Sequence, residues 1–156
     1  MTRLRGYRGT DRGLLAGPWL PGELLGLPVA GRPPLAEPAA VAEPDGTEGG
    51  PDELCIVPDT GFVRWTGIDW VNRRARLEIG LHRRPDDLPG LLAAAVEHGF
   101  HGLNLHRLYG WVTPAAQPPA AALAACGFRR EAVAPEGMWF DGRAVDREIW
   151  GAVRRD

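Results

Sequence analysis

Hydrophobic and polar residues alternate in two stretches near the middle of the chain, Phe62 to Asp69 and Arg74 to His82. A period of two predicts strands, and the turn-forming residues Trp70 to Arg73 between them predict a hairpin. The apolar run Leu54 to Val57 reads as a strand just before it. The period then changes. Leu88, Leu91, Leu92, Ala95, Val96 and Phe100 recur at helical spacing, which predicts a helix over Leu88 to His101. Arg107 to Val112 returns to a strand. Pro118 to Ala125 is a short alanine-rich helix ended by Gly127, and Phe128 to Val133 and Val145 to Val153 are the last strands. Toward the N-terminus, Thr2 to Arg8 alternates as an edge strand. Asp11 is placed to cap a short helix through Leu14 and Leu15, and a second short helix follows near Pro21 to Leu25. Strands and helices in this order give a single α/β domain with a mixed sheet.

One stretch breaks the pattern. Pro28 to Pro51 is rich in Pro, Ala, Gly and Glu, with almost no large apolar residue. Such a composition buries too little surface to offset the entropy of ordering, so it reads as a mobile loop. It also divides the charge. The net charge of -2 includes six acids against Arg32 alone in residues 28–53, and the remainder has 17 basic and 14 acidic residues. The folded part is thus mildly basic, with arginine pairs at Arg73-Arg74, Arg83-Arg84, Arg129-Arg130 and Arg154-Arg155. These form either a solvated surface or a diffuse seat for phosphates. Every basic residue other than histidine is arginine, which excludes a Schiff-base lysine and a P-loop lysine. Cys55 and Cys126 make neither a metal spacing nor a disulfide framework, and no stretch resembles a signal peptide or a membrane span. A cytoplasmic protein is expected.

Five segments carry a resemblance when taken in order: Gly61 to Asp69, Ala75 to Gly80, His98 to Tyr109, Cys126 to Glu131 and Asp141 to Asp146. Their order and spacing resemble the GNAT acyltransferase superfamily, in the branch that acetylates ribosomal-protein N-termini. The resemblance implies one GNAT-like domain over residues 1–156, with a mixed central sheet, a splayed strand pair and flanking helices. In that family a glycine loop after the strand ending at Gly80-Leu81 holds the coenzyme A pyrophosphate on backbone N–H groups and a helix N-terminus. Here the corresponding residues run from His82 to Gly90. Pro85 and Pro89 have no N–H to give, and Asp86 and Asp87 put carboxylates where phosphate would sit. The family's Asn, Ser/Thr and Tyr landmarks fall at Ala116, Pro119 and Leu123, with Gln117 a stand-in for the Asn if the register slips by one.

The resemblance places a general base at Glu78, on the strand where many members carry one; the alternative is a buried glutamate paired to Arg64 or Arg76. His82 closes the same strand and suits proton transfer, unless it is an exposed loop histidine. Tyr109 offers a phenol from the fifth strand. Backbone N–H groups near Ile79, Gly80 and Leu81 would polarise the donor's carbonyl, and Arg83, Arg84 and Gln117 complete the donor-binding set. Trp65, Trp111 and Trp139 would line the acceptor cleft. His98, His101 and His106 lack fixed partners, so no metal is expected. These readings lead to an N-acyl or aminoacyl transferase acting on an amine-bearing small molecule or peptide. Its donor would sit on a carrier, either aminoacyl-tRNA or a carrier-protein thioester. No cofactor would bind tightly, free acetyl-CoA would bind poorly, no membrane would be involved, and a homodimer is open. Two other readings stand beside it: a catalytically inactive GNAT-like binding domain, and an acetyl-CoA-dependent N-acetyltransferase with a decayed motif.

Overall fold

The computed structural model describes residues 3–20, 25 and 41–156. Seven strands form one sheet in the spatial order β1-β2-β3-β4-β5-β7-β6. They are β1 (Arg5–Gly6), β2 (Glu53–Val57), β3 (Gly61–Asp69), β4 (Arg74–Leu81), β5 (Arg107–Val112), β6 (Arg129–Phe140) and β7 (Arg143–Val153). Helix α1 spans Leu88–Glu97 and α2 spans Ala120–Ala125. The α/β architecture with a mixed sheet is as expected.

Five of the six strand pairs are antiparallel; β4 and β5 run parallel. The reason is topological. A parallel neighbour needs a crossover, and α1 supplies it by carrying the chain back across one face. Alternation then sorts the side chains. Val63, Trp65, Leu77, Ile79 and Leu108 form one core with Leu91, Leu92 and Ala95 of α1 and Leu123 of α2. The opposite face of β2 and β3 buries Leu54, Ile56 and Phe62 under Leu15, Trp19 and Val41.

Several expectations change. The helix after β4 stops at Glu97 and runs on as one wide turn, His98–Gly102, with Leu103 N–H donating to the His98 carbonyl. Gly99 explains the crowding there, since a Cβ would lie 2.9 Å from both Trp65 Nε1 and a Leu108 methyl. The final hairpin is longer than expected, because β6 continues to Phe140 through an irregularity between Ala134 and Met138. Pro135 lies in that gap, and β6 is an edge strand, where a missing N–H is tolerated. Asp11 sits in the third position of a 3₁₀ turn (Gly9–Leu15) rather than ahead of it; its carboxylate accepts the Arg8 N–H from inside the turn.

The helix expected near Pro21 to Leu25 lies outside the described residues except for Leu25, as does the expected loop up to residue 40. From Val41 onward that stretch makes a few contacts with the N-terminal turn and with Trp70. Val41 is buried and donates to the Leu15 carbonyl, and Glu43 accepts from Tyr7 Oη and Arg12 Nε. Trp70 Nε1 donates to the Gly50 carbonyl.

Candidate active site

The parallel pair β4–β5 holds register only from Arg74 opposite Arg107 to Arg76 opposite Tyr109. Beyond that point Leu77–Leu81 and Gly110–Val112 are no longer paired, and the sheet parts between them. Backbone groups on the inner edge of β4 lose their strand partner there. The chain fills part of the gap itself. Ile79 N–H donates to the Leu25 carbonyl at 3.3 Å, and Leu20 N–H donates to the Leu81 carbonyl at 2.8 Å. Leu25 is fully buried, and a Cβ at Gly110 would lie 2.8 Å from its Cδ2. Of the expected donor-binding backbone, Ile79 N–H is therefore committed to Leu25. Gly80 pairs with Phe62 in the β3–β4 ladder.

Glu78 stands beside the opening, 2 % exposed. Its Oε2 accepts from Arg64 Nε at 2.8 Å and from the Arg64 terminal nitrogen; its Oε1 accepts from Arg76 at 2.6 Å. Both oxygens are engaged by guanidinium groups, the pairing with Arg64 and Arg76 that was the alternative for this residue. The alternation of β7 brings Arg147 to the same face, where its guanidinium lies 4.6 Å from the Trp111 ring centre. Burial pulls the Arg147 pKa down, the Arg76 cation adds to this, and Glu78 opposes it. Tyr109 is half-buried on β5 at the point of parting, with the Arg107 guanidinium 5.8 Å from its ring.

The other expected site residues are dispersed. His82 is no exposed loop residue: its ring packs 4.8 Å from Trp19, and Nε2 lies 3.3 Å from the Leu14 carbonyl. A carbonyl only accepts, so that nitrogen is the donor of the bond and is taken up in structure. Trp65 faces the α1 core, fully buried, because it pairs with Leu77 on the wrong side of the sheet for a cleft. Trp139 is 60 % exposed near the β6–β7 turn, well along the strand from the opening. Of the three tryptophans only Trp111 stands by Glu78's face. Arg83 and Arg84 are exposed, and Gln117 is an exposed left-handed residue closing the turn Pro114–Ala116.

The N-terminus of α1 is closed by its own sequence. Asp87 Oδ1 accepts the Gly90 N–H at 2.9 Å, and Pro89 has none. Gly90 is required by this cap, since a Cβ would sit 2.0 Å from Asp87 Oδ2.

A separate cluster lies on the α1 face. The ligand atoms of Glu53, Cys55 and His98 are within 4.8 Å of one another, the one such group among the described residues. His98 Nε2 is 3.9 Å from Cys55 Sγ and 3.5 Å from Glu53 Oε1. Three donors of these types suffice for a zinc-like ion. They do not make a nucleophilic triad, in which the acid would hold the other ring nitrogen. Burial, with Glu53 nearby, pushes the Cys55 thiol up to about 12. His101 and His106 do not join this group; both are exposed.

Sequence reasoning missed Leu25 and Arg147. Leu25 had no signal beyond a weak helical pattern. Arg147 did have one: in the alternation of β7 it shares a face with Ile149 and Gly151, an inward position that an arginine rarely takes without cause.

No family model matches the chain, and no curated protein matches it in sequence. Solved structures do. The spermidine N-acetyltransferase of Vibrio cholerae in complex with CoA and spermine superposes with a TM-score of 0.62 at 23% identity, covering 68% of each chain. A chimera of that enzyme with hSSAT gives a TM-score of 0.61 at 23% identity, over 68% of this chain and 70% of the other. Mutant forms of the same enzyme give 0.62 and 23%, over 68% and 69%. With its mixed seven-stranded sheet parted between β4 and β5, the protein has the fold of the GNAT N-acyltransferases.

Proposed function

We propose that the protein is an N-acyltransferase that acylates an amine entering the opening between β4 and β5. The parting of the two strands after Arg76 and Tyr109 carries this reading. It exposes the edge of β4, whose N–H groups are aimed to polarise an acyl carbonyl once Leu25 has yielded. The amine's lone pair attacks the carbonyl carbon, and a C–N bond forms. Collapse of the tetrahedral intermediate breaks the bond to the leaving thiolate or alkoxide, which takes up the amine's proton. Tyr109, at the point of parting, is the phenol placed to relay that proton.

The donor is presented by its acyl end rather than held by a diphosphate. Asp87 occupies the N-terminal donor of α1, and Pro89 removes another. An aminoacyl-tRNA or a carrier-protein thioester fits this better than free acetyl-CoA. The test is a mass-spectrometric assay of an amine panel with three donors: acetyl-CoA, a pantetheine thioester on a carrier protein, and aminoacyl-tRNA. Transfer from a carried donor is expected. Efficient transfer from acetyl-CoA would overturn the donor assignment, and no transfer from any donor would overturn the enzymatic one. In that last case a binding domain without catalysis is the reading, and the occupation of the opening by Leu25 favours it.

A further inference from the structure

We infer that the ligand entering this opening carries an acidic oxyanion, a carboxylate or phosphate, which Arg147 and Arg76 bind; as an account of the acceptor amine this rests on the transferase reading above. Three guanidinium groups, from Arg64, Arg76 and Arg147, share one face of the sheet with the single carboxylate of Glu78. The local charge is therefore positive by two.

Arg64 and one terminal nitrogen of Arg76 are satisfied by Glu78. Two other donors of the cluster are not. Nε of Arg76 and Nε of Arg147 are both shielded from water and have no hydrogen-bond partner among the described residues. The Arg147 guanidinium lies over the Trp111 ring, 4.6 Å from its centre, and its Nε–H donor remains to be filled. Shielded donors without acceptors are costly, and an oxyanion supplies the acceptors in the planar, two-point geometry that guanidinium groups recognise. The same charge sets the acceptor apart from a polyamine, the ligand named for the structurally similar enzyme. A polycation would meet like charge at this face. An amine that brings its own anion is held, and the surrounding cations favour its neutral, nucleophilic form.

The test is calorimetry on the whole protein with inorganic phosphate, phosphoethanolamine, ethanolamine and spermidine. Phosphate and phosphoethanolamine should bind, and ethanolamine and spermidine should bind at least about tenfold more weakly. Arg147→Gln should weaken phosphoethanolamine by about 10- to 100-fold with no fall in melting temperature, and Arg147→Lys should restore part of it. Tighter binding of spermidine than of phosphoethanolamine would overturn the inference. So would an unchanged affinity in Arg147→Gln, or no binding of either phosphate probe. These readouts need no turnover. Anion binding without acyl transfer would defeat the transferase reading alone, and acylation of spermidine at the same rate in Arg147→Gln would defeat this one alone.

Discussion

The carbonyl oxygen of Leu25 accepts the backbone N–H of Ile79, a donor that an unbroken parallel sheet would have given to β5. The side chain of Leu25 lies against Gly110, the first residue of β5 to leave β4. The two strands thus part around a leucine.

Leu25 and Gly110 should be energetically coupled. Gly110→Ala would put a Cβ 2.8 Å from Leu25 Cδ2 and 3.1 Å from the Leu77 carbonyl. Overpacking of this kind costs about 1–3 kcal/mol. Leu25→Ala alone should cost about 2–5 kcal/mol. The double variant should be more stable than the sum of the two losses implies, by on the order of 1 kcal/mol. Denaturant unfolding of the four proteins measures it; strictly additive losses would mean that Leu25 does not occupy the opening in solution.

Glu78→Gln should act on stability first. It leaves Arg64 and Arg76 without their shared carboxylate in a site where Glu78 is 2 % exposed. Arg76 keeps a third of its side chain in water, so the loss should lie at the lower end for a broken buried pair, about 3 kcal/mol. Turnover per folded molecule should fall by less than the roughly 10²–10⁴-fold of a missing general base. A normal melting curve with a collapsed rate would restore Glu78 as the base.

Asp87→Ala should trade stability for affinity. The cap on Gly90 N–H is lost, at about 1 kcal/mol. Removing the carboxylate also frees that donor at the α1 N-terminus, so coenzyme A should bind about tenfold more tightly than to the parent protein. Titration calorimetry of the two proteins decides it, and equal affinities would place the obstacle elsewhere in the loop.

Asp11 predicts an acid limb in stability. The Arg5 guanidinium, hydrogen-bonded at 2.7 and 2.8 Å, holds the Asp11 carboxyl down at about 2, against burial, which pushes it up. A carboxyl depressed from its ordinary 3.8 contributes stability that is present above that value and lost as pH falls through about 2. Asp11→Asn should melt a few degrees lower at neutral pH, and the gap should close between pH 4 and pH 2. A constant gap across that range would show that Asp11 acts through shape rather than charge.

The sheet was legible because its central strands alternate, and a period of two leaves little freedom over which side chains share a face. The pairings Arg64 with Glu78 and Trp65 with Leu77 depend also on the irregularity between Thr66 and Asp69, which shifts the register by one residue and is not written in the period. That shifted register puts Trp65 in the core, although proximity in sequence suggested the cleft. The closing cap of α1 was legible for a similar reason, since Asp87 three residues before Gly90 is a local motif. What stayed hidden was non-local. The contact of Leu25 with Ile79, of Val41 with Leu15 and of Arg147 with Trp111 each joins distant segments through one residue, which leaves no periodic trace. The extension of β6 to Phe140 was masked by Pro135, which reads as a break and is instead absorbed at the irregularity of an edge strand.

The Leu25–Ile79 contact also sets an order of events in time. From β2 to β4 the sheet is joined by short antiparallel connections, whereas Leu25 reaches Ile79 from some fifty positions away in the chain. Long closures are entropically dear and come late, and contacts resting on few groups open before the global transition. The Leu25–Ile79 contact is therefore expected to open more readily than the β3–β4 ladder. The exchange rate of the Ile79 amide, compared with those of the β3–β4 ladder, becomes a direct clock for how often the centre of the sheet stands open.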